Sequence, residues 1–154
     1  MKDLTRFLAA LFAAITLSVL LANLFQLPIK LSLTKDNYLI AQQLSSDLLW
    51  LSIFEAAAFL LTLRLVILEK KKKRTRKNML ISMICFIASI LLFFIFIIPV
   101  DITTVNWTVL PDNWDSLRTQ WEYTNAGRTL LDLTGFIYII MALLKNRNYY
   151  KVYT

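Results

Sequence analysis

The sequence predicts an all-α fold: a four-helix transmembrane bundle whose second and fourth helices extend beyond the bilayer on the extracytoplasmic side. Three observations predict it. Hydrophobic residues make up 58% of the 154 residues, and the mean hydropathy is +0.59, outside the range of soluble domains. The apolar residues fall in runs long enough to cross a bilayer, which takes about 20 helical residues for about 30 Å of hydrocarbon. Finally, the basic residues gather at the edges of those runs, where they orient a membrane protein. The chain reads as a single integral membrane domain, residues 1–154, with spans near 7–26, 49–68, 79–98 and 125–144.

The first run, Phe7 to Gln26, follows Lys2 and Arg6. A secretory signal also begins this way, but its apolar region is about 7 to 15 residues long and ends in a small-x-small site. This run is longer and Val19 to Gln26 contains no Ala-x-Ala, so a retained first helix is expected. Pro28 is expected to end it, and Thr34 with Asp36 and Asn37 to cap the next. From Lys35 to Leu68 nothing interrupts the helical pattern. At 1.5 Å per residue that is about 50 Å, more than a bilayer accommodates. The stripe Ile40, Leu44, Leu48 and Leu51 predicts that the surplus packs on a neighbour.

Glu69 to Lys77 reads EKKKKRTRK, a solvated cytoplasmic turn or, alternatively, a contact with anionic lipid headgroups. Asn78 to Ile98 follows as the third span, closed by Pro99. Asp101 to Pro111 is polar and turn-rich. Its Asn106-Trp107-Thr108 matches an N-glycosylation acceptor, which matters only in a eukaryotic secretory route. Pro111-Asp112 opens the last helix, which ends near Lys145, Arg147 and Lys151. Twelve of the seventeen Lys and Arg residues then lie on one side. The positive-inside pattern puts both termini in the cytoplasm, with the plasma (inner) membrane as the expected location.

Composition also excludes functions. The net charge of +7 sits at membrane edges and not in a nucleic-acid footprint, so no nucleic-acid partner is expected. Cys85 is the lone cysteine and there is no histidine. That removes an intramolecular disulfide, a CxxC redox site, the commonest metal ligand and a Ser-His-Asp triad. No metal and no cofactor are expected. The partners that remain are the bilayer itself and a small aromatic or lipid-like ligand; oligomeric state is not legible.

The chemistry-bearing residues concentrate in the last helix. At 100° per residue, Trp114, Arg118, Trp121, Asn125, Arg128, Asp132 and Gly135 fall within about a 100° arc. An apolar helix with an arginine and an aspartate on one face must turn it toward protein or water. Counting back from the cytoplasmic edges puts Arg128 roughly 5 Å, Asp132 roughly 10 Å and Glu55 roughly 9 Å below the outer surface. Asn23 and Gln26 fall in the same slab. Arg128 and Asp132 can pair along the helix, but an arginine preceding the acid is the weaker order. Glu55 is expected to compete for Arg128. One reading is an ion-paired knot between helices, with Trp114 and Trp121 as interface aromatics. The other is a pocket open to the outer side, walled by the tryptophans and Tyr123, with Glu55, Arg128 and Asp132 as candidate catalytic or binding groups. Asn23, Asn106, Trp114, Arg118, Trp121 and Asn125 are its candidate ligand-binding residues. Ser82, Met83 and Cys85 read as packing.

Trp114-x-x-Leu117-Arg118-x-x-Trp121-Glu122-x-x-Asn125-x-x-Arg128, preceded by Asn106, resembles the anthrone-oxygenase-like family of small four-helix membrane proteins. The likeness is best from Pro99 to Leu144. It implies an association with oxidation of anthrone-type aromatic polyketides to anthraquinones. The family's usual histidine is replaced here by Asn125, which takes up no proton in the physiological range. If that histidine is the family's base, Glu55 or Asp132 must serve in its place. The two functional expectations are therefore a cofactor-independent, oxygenase-like enzyme for a planar phenol, with Arg128 stabilising an enolate or phenolate, and a non-catalytic membrane protein binding a lipid-like ligand or a partner.

Overall fold

The computed structural model describes residues 2–46 and 52–148, and all regular secondary structure among them is helical. In order these are α1 (Lys2–Ser32), α2 (Lys35–Ser46), α3 (Ser52–Leu68), α4 (Lys73–Leu92), a π-helical turn (Phe93–Ile97), α5 (Ile98–Thr103) and α6 (Trp114–Asn148). Three stretches are long and apolar enough to cross a membrane: Lys2–Ser32, Lys73–Thr103 and Trp114–Leu144. The predicted span 49–68 is described only from Ser52 onward.

α1 packs against α3 and α6, and α4 packs against the same two helices. Their shared core holds Ala9, Ala13, Ala58, Leu65, Val66, Met79, Phe86, Ile139 and Ala142. Four of these are alanines, and small residues let helix backbones approach closely. Gly135 belongs to the same design: a Cβ there would stand 3.1 Å from Phe86 Cε1 and 3.4 Å from the Ser82 carbonyl oxygen. Outward, the same helices expose Phe7, Leu60, Ile84, Leu91, Phe94 and Ile137. That surface suits hydrocarbon and not water.

Both predicted proline stops are overturned. α1 runs through Pro28 to Ser32. Its last carbonyls find a donor in Arg118, whose Nη1 donates to the Leu33 oxygen at 2.9 Å and, more weakly, to that of Lys30 at 3.5 Å. A basic side chain on the end carbonyls stabilises a helix C-terminus, and the first helix thus runs past its predicted end, an extension the sequence suggested only for the second and fourth. At Pro99 the helical path continues into α5, because the preceding turn is π-helical. A widened turn makes room for a ring that otherwise strikes the turn before it. The stripe of inward residues therefore reaches Val100 and Asp101, both buried.

α2 does lie beside the start of α6, but not through its predicted face. Ile40 is 56% and Leu44 80% exposed; Leu48 and Leu51 lie outside the described residues. Tyr38 and Gln42 point inward instead, one turn apart on the helix. Thr34 opens this helix by accepting the Tyr38 N–H at 2.9 Å on its carbonyl oxygen. At the opposite end of the structure Glu69, read in sequence as solvated, is buried and ion-paired with Arg6, which also holds Asp3 at 2.6 Å. The pair ties the start of α1 to the turn between α3 and α4.

Candidate functional site: a charged layer beneath an aromatic cap

Two polar layers lie along α6, separated by about six residues, roughly 9 Å. The outer one is an aromatic cap at the α2 end. Tyr38, Trp107 and Val100 form its buried centre, with Trp114 and Trp121 packed around them. Tyr38 meets Trp107 edge-on at 5.1 Å, and Trp107 meets Trp121 at 6.2 Å, the spacing and tilt aromatic rings prefer. Both indole N–H groups donate to one oxygen, Asp101 Oδ1, at 3.2 Å from Trp107 and 3.1 Å from Trp121. The loop delivers Trp107 through an uncommon backbone: Val105, Asn106 and Trp107 have φ of 51°, 53° and 60°. For a β-branched residue that conformation is an outlier.

Each cation of the cap is matched by an acid. Lys30 Nζ donates to Asn23 Oδ1 at 3.1 Å and lies 3.6 Å from Glu122 Oε1. Glu122 Oε1 also accepts the Tyr38 hydroxyl at 3.0 Å, and Gln42 donates to that hydroxyl at 2.7 Å. Burial first, then the charge and hydrogen bond of Glu122, push the Tyr38 phenol above its ordinary value. It therefore stays a donor. Arg118 pairs with Asp115 and stacks on Trp114 at 4.7 Å and Tyr38 at 5.5 Å, a cation over two ring faces.

The inner layer holds Glu55, Arg128 and Asp132, all nearly fully buried. Arg128 Nη2 donates to Glu55 Oε2 at 2.7 Å, a pair joining α6 to α3. Nη1 donates to Asn125 Oδ1 at 3.2 Å, and the Asn125 amide is held by the Trp121 carbonyl at 3.1 Å. The guanidinium packs on Phe93, the first residue of the π turn, at 4.7 Å. Asp132 is placed differently. Its Oδ2 accepts the Ser89 hydroxyl at 3.1 Å, while Oδ1 has no hydrogen-bonding partner. Glu55 Oε1 and Arg128 Nε are likewise without one.

Glu55, Arg128, Asp132 and Asn125 thus meet in the inner layer, and Trp114, Arg118 and Trp121 in the cap. Asn23 joins the cap through Lys30. Asn106 does not join: its residue is exposed, and its role is the backbone bond to the Asp101 carbonyl at 2.7 Å. Gln26 faces outward and Tyr123 is exposed, so Tyr123 walls nothing. Arg128 pairs with Glu55 and not along its own helix with Asp132. Lys30, Tyr38, Gln42 and Asp101, all buried in the cap, were not among the candidate site residues, and Glu122 appeared only within the quoted motif. Lys30 stands seven residues, about two turns, after Asn23 on one face, a signal masked by treating Pro28 as a stop. Asp101 was masked by Pro99 in the same way.

Among the described residues no group of three or more His, Cys, Asp or Glu is placed to hold a metal ion. Comparison with protein-family models, curated proteins and solved structures gives no match.

Proposed function

We propose that α1, α3, α4 and α6 cross the inner membrane as a four-helix bundle, with both termini and the Lys70 to Lys77 turn cytoplasmic, and that the bundle binds a small, mainly apolar molecule at the Glu55, Arg128 and Asp132 layer. The observation that carries this reading is the set of uncommitted atoms there. One atom each of Glu55, Arg128 and Asp132 is buried without a partner, and buried polar atoms are rarely left so. Gln42 Oε1 and Arg118 Nε in the cap and Arg6 Nε at the far end are also without one, but among the described residues only in this layer do three charged groups, two of them carboxyls, each keep such an atom. Intramembrane charges that are only partly paired favour a ligand role. The ligand class is a hydrophobic body bearing a hydroxyl, carbonyl or amine that meets a carboxyl group and a guanidinium N–H.

The test is purification in mild detergent followed by mass spectrometry of co-purified small molecules. The wild type is compared with a variant carrying Glu55→Gln, Arg128→Met and Asp132→Asn. A molecule bound to the wild type and absent from the folded triple variant supports the site; equal recovery from both removes it.

A second reading, oxidation of a planar phenolic substrate by dioxygen without a cofactor, draws on the resemblance of the Trp114 to Arg128 stretch and on Asp132 standing near Arg128 with one oxygen uncommitted. In it Asp132 takes a proton and Arg128 steadies the resulting anion. The cap argues against a flat slot between the tryptophans. The N–H groups of Trp107 and Trp121 are spent on Asp101, and Trp114 and Trp121 are faced by Arg118 and Lys30.

A further inference from the structure

We propose that Glu55 and Asp132 hold one exchangeable proton between them, so that the inner layer is a neutral set of one guanidinium, one carboxylate and one carboxylic acid. The inference holds whatever molecule the bundle handles.

The charge count comes first. Two carboxyl groups and one guanidinium share a layer in which all three are nearly fully buried: Asp132 stands one turn from Arg128 on α6, and Arg128 holds Glu55 at 2.7 Å. With both acids ionised the layer carries an uncompensated negative charge, which burial disfavours strongly. Among the described residues no other cation is paired with this layer. Arg6 is committed to Asp3 and Glu69, Lys30 to Glu122, and Arg118 to Asp115. The groups facing Asp132 are Glu55 from α3, Ser89 and the Cys85 thiol from α4, and Arg128 from its own helix. α1 carries its charges only near its ends, at Lys2, Asp3, Arg6 and Lys30.

The hydrogen-bond count points the same way. Asp132 Oδ1 and Glu55 Oε1 are both acceptors without a donor. A proton on either converts an acceptor into a donor and removes the surplus charge in the same step. Arg128 still has N–H donors to give, Nε among them, but its bonds go to Glu55 Oε2 and Asn125 Oδ1 and none reaches Asp132 Oδ1 or Glu55 Oε1. Two carboxyl groups in one low-dielectric site share a proton for the same reason, and the proton then belongs to the pair. For Asp132 to act as a base, that proton must first leave.

Infrared difference spectroscopy in an ester-free detergent reads this proton as the carbonyl stretch of a protonated carboxyl group. Near neutral pH the wild type should show the band, and it should shift in heavy water. Asp132→Asn should abolish that band. Glu55→Gln should abolish it too, because Arg128 then has Asp132 as its only acid and holds it ionised. Arg128→Met, where it folds, should strengthen the band. A wild type without this band near neutral pH, or a band unchanged in Asp132→Asn, overturns the proposal. A band lost in Asp132→Asn but retained in Glu55→Gln assigns the proton to Asp132 alone and overturns the sharing.

Discussion

Among the described residues Arg128 is the cation paired in the inner layer, and its loss strands Glu55 in a buried site. Breaking a buried ion pair by removing one partner typically costs about 3–5 kcal/mol, whereas replacing a whole ionic set by neutral groups is often tolerated. Arg128→Met should therefore lower stability in detergent by an amount of that order, and adding Glu55→Gln and Asp132→Asn should restore most of it. Denaturation of the three proteins checks both halves. At Asp101 one carboxylate oxygen serves two indoles. Asp101→Leu orphans two N–H groups at about 1–3 kcal/mol each, while Asp101→Asn keeps an acceptor and should cost much less; tryptophan emission with denaturation separates them. Tyr38 adds a pH dependence. Its folded value lies above the ordinary 10.0, so the stability it contributes is complete below about pH 10 and is lost as pH rises beyond that value. Tyr38→Phe should flatten the alkaline fall in melting temperature relative to wild type.

At the scale of elements, the α4 and α6 contact depends on what one of the two glycines, Gly135, leaves out. A Cβ at Gly127 meets only Leu92 Cδ1, at 3.9 Å, whereas at Gly135 it meets the ring of Phe86 at 3.1 Å and backbone at 3.4 Å. Alanine within a helix is favoured over glycine by about 1 kcal/mol. Gly127→Ala should therefore stabilise by up to that amount. Gly135→Ala should destabilise, because overpacking a dense contact costs about 1–3 kcal/mol and Phe86 is itself buried. Thermal melts of the two variants should shift in opposite directions. The two proline segments make the complementary point. A proline disrupts a helix by its missing N–H and by the turn it displaces; at Pro99 the π turn relieves the second, while at Pro28 the helix simply continues for one more turn, whose end carbonyls Arg118 satisfies.

For the whole molecule, the basic residues carry the topological prediction. Lys70 to Lys77 and the first turn of α1 lie at one end, joined by Arg6 and Glu69; α2 and the start of α6 lie at the other, joined by Tyr38 and Glu122. Reporter fusions at Asp36 and Asn113 should read outside, and one within the Lys70 to Lys73 turn inside. A cytoplasmic signal at Asp36 would reverse the orientation proposed for the bundle.

Composition and periodicity alone determined that the chain is helical and that its long helices are apolar outside. They also determined which face of α6 turns inward, because a side chain's bearing on a helix is set by a period of 3.6 and lipid rejects charge. Depth counting brought Glu55 level with Arg128 for a similar reason: a straight helix has a fixed rise. Partner choice was left to the tertiary structure. Whether Arg128 takes Glu55 or Asp132, whether Lys30 reaches Glu122 past Pro28, and whether α2 packs through Tyr38 or Ile40 all turn on competition between neighbours on different helices. Local pattern cannot register that competition, since the energy that settles it resides in contacts between residues as far apart in the chain as Tyr38 and Glu122.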